Sequence, residues 1–267
     1  MNNIVNQMQR LPVITGNWKM HKTLEEAKTF VEQLLPVIEH INSKIYLAVP
    51  FTLIQSLSEQ AKGNSLVIGT QNMNDASEGA FTGEIAGRML KDAGAQFVLL
   101  GHSERRTLYH EDNAFINRKI KRAIECGLQP ILCVGENSEE YEAGRSHDVI
   151  RAQLSECLEG IQLQNENDLI IAYEPMWAIG SGQTAEPIYA EEIQAFCRQV
   201  LSEILSPSMS QITIQYGGSV TPSNVSELLS QPDIDGLLIG GASLSIETFS
   251  QIIHESESIL NLKVKTV

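Results

Sequence analysis

Short apolar runs rich in Val and Ile recur along the chain, and longer stretches with helical apolar spacing separate them. The runs predict strands at Val13–Asn17, Ile45–Val49, Leu66–Thr70, Phe97–Gly101, Gln129–Val134, Leu169–Tyr173, Ile212–Tyr216 and Gly236–Ile239. Leu24, Ala27, Val31, Leu34, Leu35 and Ile38 predict a helix after the first strand, and Ile188, Ile193, Phe196, Val200 and Ile204 predict another late in the chain. Near-continuous apolar strands alternating with helices are what a parallel sheet covered by helices produces. Eight strand–helix units in 267 residues suit a single (β/α)8 barrel, whose usual size is about 250 residues. An open doubly wound sheet remains compatible with the strand count. No linker, charge block or composition shift divides the chain, so 1–267 reads as one domain with a polar N-terminal extension over 1–10.

Composition narrows the functional classes. Asp and Glu number 33 against 19 Lys and Arg, a net charge of −14. Such acidity argues against nucleic acid and anionic membranes as partners, while leaving room for an anionic small molecule at a locally positive site. Met1–Arg10 lacks the apolar stretch of a secretory signal, and no segment approaches the roughly 18 apolar residues of a membrane span. The four cysteines form no C-x-x-C pair and read as free thiols in a reducing compartment, so a cytoplasmic location is expected.

In barrels the reactive groups sit at the carboxyl ends of the strands. The first strand runs into Asn17-Trp18-Lys19, where alternation sets Asn17 and Lys19 on one side and Trp18 on the other. The fourth runs into His102 and a predicted helical turn, whose free N–H groups favour a neutral imidazole that can donate to a carbonyl oxygen. Glu104, Arg105 and Arg106 beside it read first as an ion-pair network. The sixth ends in Glu174-Pro175, a carboxylate at the mouth of an apolar barrel, where desolvation would raise its pKa and make it a candidate general base. Its bland alternative is a structural salt bridge. The apolar segment Met176–Ile179, followed by Gly180-Ser181-Gly182, reads as a lid hinged near Gly180–Gly182. Glycine pairs follow strands seven and eight, at Gly217-Gly218 before Ser219 and at Gly240-Gly241; such loops let backbone N–H groups approach a phosphate. The set contains no metal-ligand cluster, nucleotide fingerprint or nucleophile with an adjacent base, so no cofactor is expected. It suits proton abstraction beside a carbonyl in a small phosphorylated substrate. A Schiff-base aldolase on the same barrel would want a lysine where Glu174 stands.

Seven strings carry a resemblance to the triosephosphate isomerases: Gly-Asn-Trp-Lys-Met at 16–20, Gly-Ala-Phe-Thr-Gly-Glu at 79–84, Gly-His-Ser-Glu-Arg-Arg at 101–106, Cys-Val-Gly-Glu at 133–136, Ala-Tyr-Glu-Pro at 172–175, Tyr-Gly-Gly-Ser-Val at 216–220 and Gly-Gly-Ala-Ser-Leu at 240–244. That family is a familiar case of a glutamate base, a neutral histidine and a closing loop. The resemblance implies a cofactor-independent isomerase of glycolysis and gluconeogenesis. Glu174 would move a proton between C1 and C2 of dihydroxyacetone phosphate and D-glyceraldehyde 3-phosphate. His102 would polarise the carbonyl and move protons between the enediolate oxygens, Lys19 supply positive charge and Asn17 help fix the substrate. Gly180, Ser219, Gly240 and Gly241 would hold the phosphate, with Glu104 supporting Lys19. It also implies a homodimer in which the 72–84 loop brings Thr82 to the neighbouring site. His21, Met176 and Ser181 depart from the residues usual in the family, and the amino terminus is about six residues longer.

Overall fold

The computed structural model describes residue 10 and residues 12–179, 184–206, 209 and 211–265. Strands β1 (Val13–Asn17), β2 (Lys44–Val49), β3 (Leu66–Thr70), β4 (Phe97–Leu100), β5 (Gln129–Val134), β6 (Ile170–Tyr173), β7 (Thr213–Tyr216) and β8 (Gly236–Ile239) close into one barrel in chain order. Each pairs in parallel with its neighbours, β1 with β8 included. Closure decides against the open sheet. Helices α1 (Leu24–Ile38), α2 (Ile54–Gln60), α3 (Gly87–Asp92), α4 (Ser103–Leu108), α5 (Asn113–Glu125), α6 (Ser138–Glu142), α7 (Ser146–Cys157), α8 (Pro187–Ile204), α9 (Val225–Leu229) and α10 (Ile246–Lys265) fill the crossovers and follow β8.

Strand alternation divides the apolar residues into two cores. Val13, Tyr46, Ala48, Phe97, Leu99, Ile131, Cys133, Ile170, Ala172 and Leu238 form a small cluster. Their neighbours Ile14, Ile45, Leu47, Val98, Leu100, Leu132, Ile171 and Ile214 belong to a larger cluster shared with the helices. A period of two puts the first set inside the barrel and the second beneath the helices. The same parity leads to the site: residues 13, 15 and 17 lie on one face of β1 and 170 and 172 on one face of β6, with Lys19 and Glu174 just past the strand ends at the barrel mouth.

Two helix faces differ from the expected ones. Leu24 and Ile188 are exposed, because each lies in the first turn of its helix, before the helix reaches the barrel. Phe30, Cys197 and Leu201 take up the burial, so the apolar stripe is rotated from the one the spacing suggested. Among the described residues, no helix is long and apolar enough to cross a membrane.

Candidate active site

At the carboxyl end of the strands, Asn17, Lys19, His102, Glu174, Gly217, Ser219, Gly240 and Gly241 line one cavity of about 280 Å³. Positions from five strand ends thus meet in this cavity. Thr82 lies apart, exposed on the 72–84 loop. Gly180 and the glycine hinge of the expected lid fall outside the described residues.

β1 delivers Asn17 and Lys19 through an unusual backbone. Lys19 has φ +51°, a left-handed conformation that costs a non-glycine residue about 1–3 kcal/mol. Its N–H donates to Asn17 Oδ1 at 3.0 Å and its carbonyl accepts from Gln71 Nε2 at 2.7 Å, which holds the turn. The ammonium donates to Glu104 Oε1 at 2.6 Å. Burial of Glu104 disfavours its charge, but the bond from Lys19 and the adjacent positive charge outweigh this and leave its carboxyl below the ordinary range. Glu104 thus pairs with Lys19 rather than with the neighbouring arginines: Arg105 goes to Glu111, and Arg106 binds backbone carbonyls.

His102 is the N-cap of α4, and its Nδ1 accepts the N–H of Glu104 at 3.2 Å. A ring nitrogen that accepts there carries no proton, which leaves the proton on Nε2. Nε2 lies 3.1 Å from Glu174 Oε1, and the N–H of Ser103 donates to Glu174 Oε2 at 2.9 Å. Glu174 is 2% exposed, and among the described residues no lysine or arginine pairs with it. That excludes the bland salt-bridge reading: neutral donors hold both oxygens. Gly217 makes the room, because a Cβ there would sit 2.9 Å from Glu174 Cγ. The Cys133 thiol is wholly buried against the same carboxylate; burial first, and the charge of Glu174 second, push its pKa well up and keep it neutral.

On the opposite wall, Gly240 and Gly241 lead into the single-turn helix Gly241–Ser243, whose first N–H groups have no intrahelical acceptor. Ser219 faces them from the loop after β7. One wall thus offers backbone donors suited to an anion, and the other a carboxylate, an imidazole N–H and an ammonium.

Two functional features were not read from the sequence. Ser103 contributes through its backbone, for which a side-chain pattern gives no signal. Glu136, fully buried, accepts from Tyr173, Trp177 and Tyr189 at 3.0, 2.9 and 3.1 Å and anchors the segment after Glu174. Its place just beyond β5, like that of Glu174 beyond β6, was the available clue.

Fold and site together are those of an isomerase built on a (β/α)8 barrel. The family model for triosephosphate isomerase matches residues 12–256. The chain belongs to the triosephosphate isomerase family. It is 61% identical over 254 residues to the triosephosphate isomerase of Protochlamydia amoebophila, covering 95% of this chain and 96% of that one. Identity to the Moorella thermoacetica enzyme of the same name is 44%, over 92% of this chain and 98% of the relative. The crystal structure of triosephosphate isomerase from Bartonella henselae superposes with a TM-score of 0.84 at 36% identity, covering 91% of this chain and 98% of that chain.

Proposed function

We propose that the interconversion of dihydroxyacetone phosphate and D-glyceraldehyde 3-phosphate, the isomerisation this chain performs in glycolysis and gluconeogenesis, runs through Glu174 as the base. The observation that carries this reading is the buried Glu174 carboxylate, 3.1 Å from the proton-bearing Nε2 of His102 in a cavity that also holds Lys19. A substrate carbonyl entering between them competes for the Nε2 proton and frees Glu174 Oε1. Glu174 then takes a proton from C1. The enediolate oxygens receive hydrogen bonds from His102 and charge from Lys19, and Asn17 fixes the carbon chain. His102 gives its Nε2 proton to O2 and takes the O1 hydroxyl proton in its place, and return of the carbon proton from Glu174 to C2 completes the conversion without a cofactor. Ser219, Gly240 and Gly241 hold the phosphate through backbone N–H groups, and Glu104 keeps Lys19 directed into the cavity. The test is exchange: dihydroxyacetone phosphate incubated with the protein in deuterated water acquires deuterium at carbon, and unlabelled substrate after many turnovers contradicts a solvent-accessible base at that carbon.

We also propose that 1–267 acts as one unit in the cytoplasm and pairs with a second copy. Met20, 94% exposed, adjoins Phe51 and Tyr109 around a groove of about 350 Å³ that borders Lys19 and His102. The 72–84 loop carries the exposed Phe81 and Thr82 and is braced internally by the Asn74–Glu84 bond at 2.8 Å. Exposed apolar patches of this kind mark interaction sites, and a loop and a groove on one chain complement each other in a symmetric pair. Cutting 79–82 back to a short turn is expected to convert a dimer into a monomer in sedimentation, with kcat falling as the groove beside Lys19 opens to water. A monomeric parent rejects the pairing.

A further inference from the structure

One guanidinium connects the end of β4, which carries His102, to the end of β5, the strand that pairs with β6 and so adjoins Glu174. Arg106 stands in the last turn of α4, where Nε donates to the Gly101 carbonyl at 2.8 Å and Nη2 to the Cys133 carbonyl at 3.1 Å. Nη1 donates to Asn113 Oδ1 at 2.6 Å, at the start of α5. These three acceptors are neutral, where the sequence suggested an ion pair. Three donors given to carbonyl and amide oxygens in a half-buried corner define geometry rather than compensate charge.

The two carbonyls are placed at the active-site ends of adjacent strands. Gly101 has φ +73°, the point at which β4 turns out of the sheet, and the next residue is His102. A Cβ at Gly101 would lie 3.0 Å from Arg106 Nη2 and 3.1 Å from the Cys133 carbonyl, so the corner is closely filled. Cys133 pairs in register with Ala172, two residues before Glu174, and its wholly buried thiol lies close enough to the Glu174 carboxylate to feel its charge. The planar fork of arginine spans both carbonyls at fixed spacing; an ammonium is a point donor and cannot.

We infer that Arg106 is a positioning residue for the isomerisation, setting the separation of imidazole and carboxylate by fixing the backbone at 101 and 133. The inference rests on the reading above that His102 and Glu174 carry the reaction. Its test compares Arg106→Lys with Asn113→Ala in the otherwise intact protein. Arg106→Lys keeps the charge but loses one carbonyl; a displacement of about 1 Å at a reacting pair costs up to about 10²-fold, so kcat per folded molecule is expected to fall about 10- to 100-fold. KM should stay within about threefold, because Ser219, Gly240 and Gly241 are untouched, which is the pattern of an interaction specific to the transition state. Asn113→Ala removes the third partner, away from the catalytic pair, and is expected to lower Tm while leaving kcat within about twofold. If Arg106→Lys does not yield folded protein, Arg106→Gln, whose amide reaches one carbonyl, gives the same comparison. A kcat for the Arg106 variant within about twofold of the parent overturns the inference, as does an equal loss in Asn113→Ala, the signature of a merely structural role. Glu174→Gln separates the two readings. When it is inactive and Arg106→Lys is not, only the role of Arg106 falls; when it turns over like the parent, the assignment of the base falls and the inference falls with it.

Discussion

Glu174→Gln should lower kcat by at least the roughly 10²- to 10⁴-fold typical of losing a general base. The amide is nearly isosteric, so the cavity keeps its shape and KM should move little. Stability, however, should drop. In the native protein Oε2 accepts from the Ser103 N–H and Oε1 faces the His102 Nε2–H, so both sides of the carboxylate meet donors. An amide can turn its oxygen to only one of them and must point its NH2 at the other, leaving a buried donor without an acceptor at a cost of about 1–3 kcal/mol. The joint expectation is a large loss of turnover, loss of deuterium incorporation from solvent, and a lower Tm. Near-normal turnover would sink the assignment of the base. An unchanged Tm would mean that His102 does not present its proton to Glu174.

What could be read beforehand follows the physics of each level. β1, β3, β5 and β8 have the bounds that the apolar runs predicted, because each is buried throughout or nearly so. β4 ends one residue early because the ladder stops where Gly101 takes a positive φ, which composition does not encode. Asn17, Lys19 and Glu174 could be placed at one barrel mouth because each stands at or just past the carboxyl end of a strand. Partner choice could not. Glu104 stands beside two arginines in sequence, yet it binds Lys19, 85 positions away, because α4 turns its first residues over the barrel mouth while Arg106 points back beneath it. Hydrogen bonds made by main-chain groups, such as Ser103 N–H to Glu174, are invisible to any argument from side-chain type.

Lys19→Met is expected to lower kcat/KM by on the order of 10²- to 10³-fold, the loss typical of deleting one preorganised donor to a developing oxyanion. It should do so without unfolding the protein. The Lys19–Glu104 pair is partly solvated, with side chains 27% and 43% exposed, and such pairs contribute little to stability. The more telling change concerns salt. The chain carries −14 and its substrate is a phosphate dianion, so long-range attraction has to come from the site itself. In the parent, the Lys19 ammonium and the backbone N–H groups offset the acidic exterior, and kcat/KM should vary only shallowly with ionic strength. In Lys19→Met the mouth retains Glu104 and Glu174 with the ammonium gone, so the approaching dianion is repelled. Screening relieves repulsion as the Debye length shrinks from about 30 Å at 0.01 M to about 3 Å at 1 M salt, and kcat/KM of the variant should therefore rise with added salt. A variant with the parent's salt dependence would show that the Lys19 charge does not set the field at the cavity. A variant with the parent's kcat/KM would remove Lys19 from the reaction.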